Sequence, residues 1–112
     1  MHDPYKDGLE LIRVGRFFEA HEELELAWRA APAEERDFYQ GLVHVAVAWY
    51  QAGRGNRVGC ERQLEKAARR LSPYTPSHRG VDLDGLLLFF HRDWWLHVAV
   101  NRALDAIGLT SP

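Results

Sequence analysis

Apolar residues recur every three or four positions along most of this chain, and no segment sustains the alternation of a strand. That spacing predicts a succession of helices. The first spans about Pro4 to Val14, with Asp3 as its N-cap and proline at the first helical position. Gly15 allows a tight break, and a second helix runs from about Arg16 to Ala31, where Pro32 stops it. A third begins near Ala33, with Glu34, Glu35 and Asp37 at the positive end of its dipole, and continues to about Ala52. From Phe38 to Gly53 it carries no charge, which marks it as the helix around which the others fold. Asn56 is placed to cap a fourth helix ending near Leu71, whose apolar line is Cys60, Leu64, Ala67, Ala68 and Leu71. A turn-rich loop occupies Ser72 to Gly80. Asp82 then caps a short fifth helix to about His91, and Asp93 a sixth from Trp94 to Ile107.

Two blocks of the chain match at an offset of 40. Gly15 aligns with Gly55, Ala20 with Cys60, Leu24 with Leu64, Glu25 with Glu65, Ala27 with Ala67 and Ala31 with Leu71. Two similar helical hairpins packed side by side account for this, although two unrelated amphipathic helices would also match by chance. The expected fold class is all-α: a compact bundle of five or six helices, built from two stacked helical hairpins plus a C-terminal helical pair. Its 112 residues make one domain, 1–112.

Composition narrows the function classes. A single cysteine, Cys60, excludes an internal disulfide and a cysteine-based zinc site. The uncharged run from Phe38 to Gly53 has 16 residues, short of the roughly 20 needed to span a bilayer, and residues 1–8 lack the apolar stretch of a signal peptide. A soluble, cytoplasmic protein is expected. Residues 1–37 hold ten acids against five bases, while Arg54, Arg57, Arg62, Lys66, Arg69 and Arg70 crowd one later segment. With a net charge of −2, that basic segment reads as a helix face opposite an acidic neighbour rather than a nucleic-acid footprint.

The second helix carries the candidate chemistry. On a helical wheel Phe17, Leu24 and Trp28 share one face and enclose His21 and Glu25, whereas Glu19, Glu22, Glu23 and Arg29 fall outside it. A buried carboxylate needs a partner. On the third helix Gln40, His44 and Gln51 form a polar stripe; if it faces the second helix, His21 and Glu25 meet Gln40 and His44 across the hairpin. Facing i, i+4 polar pairs are how helical bundles assemble interior metal sites, and imidazole with carboxylate suits a divalent transition metal such as zinc, manganese, iron or nickel. The candidate ligands are therefore His21, Glu25 and His44, with His21 and Glu25 as the metal donors and Phe17, Trp28 and Gln40 lining the pocket. Two other readings explain the same residues: a hydrogen-bonded core network, or a stripe on the exposed edge of the third helix. The string His21 to Glu25 lacks the second histidine of the zinc-protease motif, and there is no nucleophile elbow, phosphate loop or dinucleotide fingerprint. No catalytic residue is assigned. His2 and His78 read as solvated, and His91 and His97 as packing or interface residues.

His21-x3-Glu25-x2-Trp28, Gln40-Gly41-Leu42, Gly55-Asn56-x2-Gly59, Leu71-x2-Tyr74-x-Pro76 and Gly80-x-Asp82 together resemble the domain of unknown function 309 family, over roughly residues 9–87. The resemblance implies small, all-helical prokaryotic proteins with a histidine–glutamate–tryptophan motif suggested as part of a metal site, and no established activity. At position 44 that family often carries glutamine.

The leading functional expectation is a polar pocket at His21 and Glu25 that binds a metal ion or a small polar ligand. The alternative is a non-catalytic helical-hairpin interaction module in which these residues only lock the core. Finally, Leu86 to Phe90 and Trp94 to Leu96 exceed what one stripe of a short helix can bury, so residues 86–98 are expected to form a homodimer surface. The other outcome is burial of all of them within one chain.

Overall fold

Asp3 opens the first helix, as its position before proline predicts. Its side chain accepts the backbone N–H groups of Tyr5 and Lys6, and α1 runs Pro4–Arg13. This computed structural model describes residues 2–88. α2 spans Phe17–Ala30, a single 3₁₀ turn covers Ala33–Glu35, and α3 spans Arg36–Gly53. Asn56 caps α4, Arg57–Leu71, by accepting the Gly59 N–H at 2.9 Å. Asp82 likewise accepts the Gly85 N–H at the start of α5, Leu83–Leu88. The fold is all-α, with α1 packed on α2, α2 on α3 and α3 on α4.

α3 is the centre of the bundle. Phe38, Leu42, Val45, Ala46 and Ala48 are almost wholly buried, because neighbours cover this helix on two sides. Leu24 from α2, Leu71 from α4 and Leu83 from α5 complete the main core, while Ala48, Ala52, Cys60 and Leu64 form a second small cluster between α3 and α4.

The offset of 40 has a structural counterpart. Gly15 (φ 83°) and Gly55 (φ 77°) both adopt the left-handed conformation that a glycine reaches without a Cβ penalty. After each, the next N–H reaches back to the preceding helix: Arg16 to the Leu11 carbonyl and Asn56 to the Gln51 carbonyl, both at 2.9 Å. Ala20 and Cys60, Leu24 and Leu64, and Ala27 and Ala67 are matched buried pairs. α1–α2 and α3–α4 are thus two like-built hairpins.

The Ser72–Gly80 segment holds more order than its turn-rich sequence predicts. After a 3₁₀ turn at Ser72–Tyr74, the two-residue strands β1 (Ser77–His78) and β2 (Val81–Asp82) pair antiparallel, with His78 opposite Val81. Arg79 (φ 48°) and Gly80 (φ 83°) make the tight turn between them, both with the positive φ of a type I′ hairpin. Strands this short leave no periodicity to read. The sixth helix predicted for residues 94–107, His91, His97, and most of the 86–98 homodimer surface lie outside the described residues. Among the described residues no helix is long and apolar enough to cross a membrane.

Candidate functional site

His21 and Glu25 sit one turn apart on α2, and His21 Nε2 donates to Glu25 Oε1 at 3.2 Å. Both side chains are half-buried, at 25% and 37% exposure, and Arg29 Nη2 lies 3.8 Å from Glu25 Oε2. The pair is therefore satisfied along its own helix. It does not form the enclosed polar core expected from the wheel, because α2 is covered by α1 and α3 only along the Ala20–Leu24–Ala27 line and leaves the neighbouring stripe at the bundle surface.

Beside His21 an open cleft of about 200 Å³ lies between α2 and α3, lined by Phe18, His21, Val47, Tyr50 and Gln51. The rings of Phe18 and His21 are 5.6 Å apart and those of Phe18 and Tyr50 5.5 Å apart, so the cleft has an aromatic wall. Phe18 and Tyr50 also border a larger open groove toward the Gly15 turn, shared with Phe17, Trp49 and Arg54. The walls stand where they do because α2 and α3 run antiparallel, which sets Phe17 against Trp49 at 5.7 Å and leaves Phe18 half exposed beside them. Trp28 is at the other end of α2, packed on the core under the Arg36 guanidinium at 4.9 Å.

Gln40 and His44 do not join this cleft. They face α4, where His44 Nδ1 donates to Gln63 Oε1 at 2.8 Å, and they line a separate cleft with Lys66, Arg69 and Arg70. Burial, reinforced by the charges of Lys66, Arg70 and Arg69, holds the His44 imidazolium below its ordinary pKa. Three cations around this imidazole oppose a metal cation, so the four-residue site drawn across the α2–α3 hairpin is replaced by two clefts, one between α2 and α3 and one between α3 and α4. Of the stripe on the third helix, only Gln51 reaches the His21 side.

Two polar groupings carry no sequence signal that singled them out. His78 is packed rather than solvated: its ring is 4.7 Å from Phe38 and 4.9 Å from Tyr74, and Nε2 donates to Glu35 Oε2 at 2.6 Å. Glu35 also approaches Arg79 at 3.7 Å, and the Arg79 guanidinium covers Tyr5 at 5.1 Å and Tyr39 at 5.6 Å. The second grouping is at the N-terminus, where His2 meets Glu23 at 2.6 Å and Asp7 at 3.1 Å. Among the described residues this is the one set of three His, Cys or acidic side chains whose donor atoms lie within 4.8 Å of one another, and His2 and Asp7 are exposed. Both groupings arise from residues far apart in sequence, which helical spacing alone does not bring together.

Comparison with known proteins agrees with the resemblance in the sequence. A family model described as domain of unknown function (DUF309) matches residues 5–63, a span that holds His21, Glu25, Trp28, Gln40 and His44. The uncharacterized protein YpuF of Bacillus subtilis (strain 168) is 35% identical over 71 residues, covering 62% of this chain. The match takes in only 39% of that relative's length. No solved structure matches. With more than half of its length matched by the family model, the chain belongs to the DUF309 family, whose function is not established.

Proposed function

We propose that this domain is a binding module whose α2–α3 cleft takes up a small polar group with a flat apolar body, the size of one side chain or a small molecule. The observation that supports it is the cleft of about 200 Å³ in which His21 and Gln51 are set among Phe18, Val47 and Tyr50. An apolar wall with one or two placed polar groups is the usual make-up of a ligand pocket, but those typically exceed about 300 Å³. The smaller size here suits a fragment or an inserted side chain better than a whole metabolite.

A metal at His21 and Glu25 is the less favoured reading. Zinc sites use three or four protein donors, and among the described residues no third His, Cys, Asp or Glu joins this pair within ligand distance.

Ligand-detected NMR with small phenols, carboxamides and imidazoles tests the binding reading, using wild type, His21→Ala and Phe18→Ala. Saturable binding weakened in both variants supports it. Equal response of all three proteins to every fragment overturns it. Calorimetry with Zn²⁺ separates the metal reading, which requires tight binding lost in His21→Ala and Glu25→Ala but kept in His2→Ala. A short tyrosine-containing peptide that binds where free phenols do not would assign the cleft to a partner protein's side chain.

A further inference from the structure

The cleft between α3 and α4 has an opposite character. It holds about 300 Å³ and is bounded by Gln40, His44, Lys66, Arg69 and Arg70. The basic run of α4 was expected to face an acidic neighbour, yet only part of it does. Arg57 pairs with Glu61 on its own helix, and Arg70 Nη1 donates to Asp37 Oδ1 at 2.6 Å. Lys66 and Arg69 have no acidic partner among the described residues.

The Arg70–Asp37 bond ties α4 to the start of α3 and fixes one guanidinium at the edge of the cleft. Gln63 holds His44 by Nδ1–H, because the amide oxygen can only accept. The neutral ring therefore carries its lone pair on Nε2, and a second proton there would turn that atom into another donor. Unpaired cations held close in a concave polar site are unfavourable on their own and favourable around an oxyanion.

We propose that the α3–α4 cleft is a binding site for a small phosphate-type dianion, gripped by Lys66, Arg69 and Arg70 and completed by protonated His44. The groups reaching His44 from α4 are Gln63, Lys66, Arg69 and Arg70; on α3 they are Gln40, and Asp37 through its bond to Arg70. Burial and the three cations resist protonation of the empty site, and two negative charges placed among them remove that resistance. Binding is thus linked to uptake of one proton. A small anion fits better than a nucleic-acid backbone, since the cations converge on one cleft of a chain whose net charge is −2.

Heteronuclear NMR titration of the full chain tests this, with phenyl phosphate and inorganic sulfate as probes. Sulfate keeps its charge between pH 5.5 and 8 and so isolates the protein's proton. The expected result is saturable shifts centred on residues 40, 44, 66, 69 and 70, with sulfate about tenfold or more tighter at pH 5.5 than at pH 8. Lys66→Ala with Arg69→Ala changes two exposed side chains and should lower affinity at least about tenfold while the far-ultraviolet spectrum is unchanged. His44→Gln should bind more weakly and lose the pH dependence. Absence of saturable binding at millimolar probe, or equal binding by the double variant, overturns the site. So does tight, salt-dependent binding of a single-stranded 20-mer that phenyl phosphate does not displace.

Discussion

Leu71 closes directly over Gly41: a Cβ built at position 41 would stand 2.6 Å from both Cγ and Cδ2 of Leu71, and 3.3 Å from Arg70 Cβ. This explains a glycine in the middle of an otherwise well-formed helix, where it costs about 1 kcal/mol relative to alanine. The backbone of α3 is open at this point so that the end of α4 can lie against it, and Leu71 becomes wholly buried.

Gly41→Leu should therefore destabilise strongly, by about 3 kcal/mol or more, as overpacking forces α4 away. Gly41→Ala sets the propensity gain against the clash, and a net loss of about 1–2 kcal/mol is expected. Urea midpoints measure both. A double-mutant cycle with Leu71→Ala should recover part of the Gly41→Ala loss, and full additivity would place the clash elsewhere.

Glu25→Ala should be mild. The carboxylate is over a third exposed and pairs with His21 and Arg29 along one helix, a geometry worth about 0.3–0.5 kcal/mol per pair. A loss under about 1 kcal/mol is expected, and a loss of 3 kcal/mol or more would mean that the carboxylate is desolvated and part of the core.

The caps at Asp3, Asn56 and Asp82 and the breaks at Gly15 and Gly55 were legible because their chemistry is local: each acts on backbone groups within a few residues. The buried line of α4 followed from spacing, with Ala68 alone only half-buried. On α2 only Leu24 of the expected face is buried, and the covered line runs through Ala20 and Ala27 instead of Phe17 and Trp28. The facing of His44 did not follow from spacing, because α3 is covered by two neighbours and its periodicity fails to say which one a polar residue meets. Gln40 and His44 line the cleft toward α4, while Gln51, farther along the same stripe, lines the cleft toward His21. Gly59 makes room for the side chain of the α4 N-cap, since its Cβ would stand 2.5 Å from Asn56 Nδ2, a contact that helical spacing does not announce.

Cys60 should be inert in the native protein. It is fully buried between α3 and α4, and burial, with the Glu61 charge adding to it, pushes the thiol pKa up to about 12. At pH 8 the thiolate is then about one part in ten thousand, so alkylation must pass through opening of the second core cluster. Iodoacetamide labelling followed by mass should be slow in buffer and complete above the urea midpoint. Immediate stoichiometric labelling in buffer would contradict the α3–α4 packing.

The β1–β2 turn should loosen when its tether to α1 is cut. Tyr5 Oη donates to the Arg79 carbonyl at 2.7 Å, across 74 residues of sequence. Burial pushes the Tyr5 hydroxyl pKa up to about 12, which keeps it a donor throughout the neutral range. Tyr5→Phe removes this bond and should cost about 1 kcal/mol. It should also speed tryptic cleavage after Arg79 relative to other sites. Unchanged cleavage there would show that Glu35, through His78 and Arg79, holds the turn unaided.

His44 should give the protein a part of its sensitivity to mild acid. Burial first, then Lys66, Arg70 and Arg69, lowers its pKa in the folded state below the ordinary 6.5. As pH falls, the unfolded chain takes up this proton before the folded protein does, so the unfolded state binds more protons and stability drops. The contribution is intact above about pH 6.5 and declines as pH falls through the folded value. His44→Gln keeps a donor for Gln63 and removes the titration. Urea midpoints of the two proteins at pH 7.5 and 5.5 isolate the effect, since all other titrating groups are common to both. Wild type should lose more stability between those values than the variant does. Parallel losses would mean that His44 takes up its proton as readily folded as unfolded, and that Lys66, Arg69 and Arg70 lie farther from the ring.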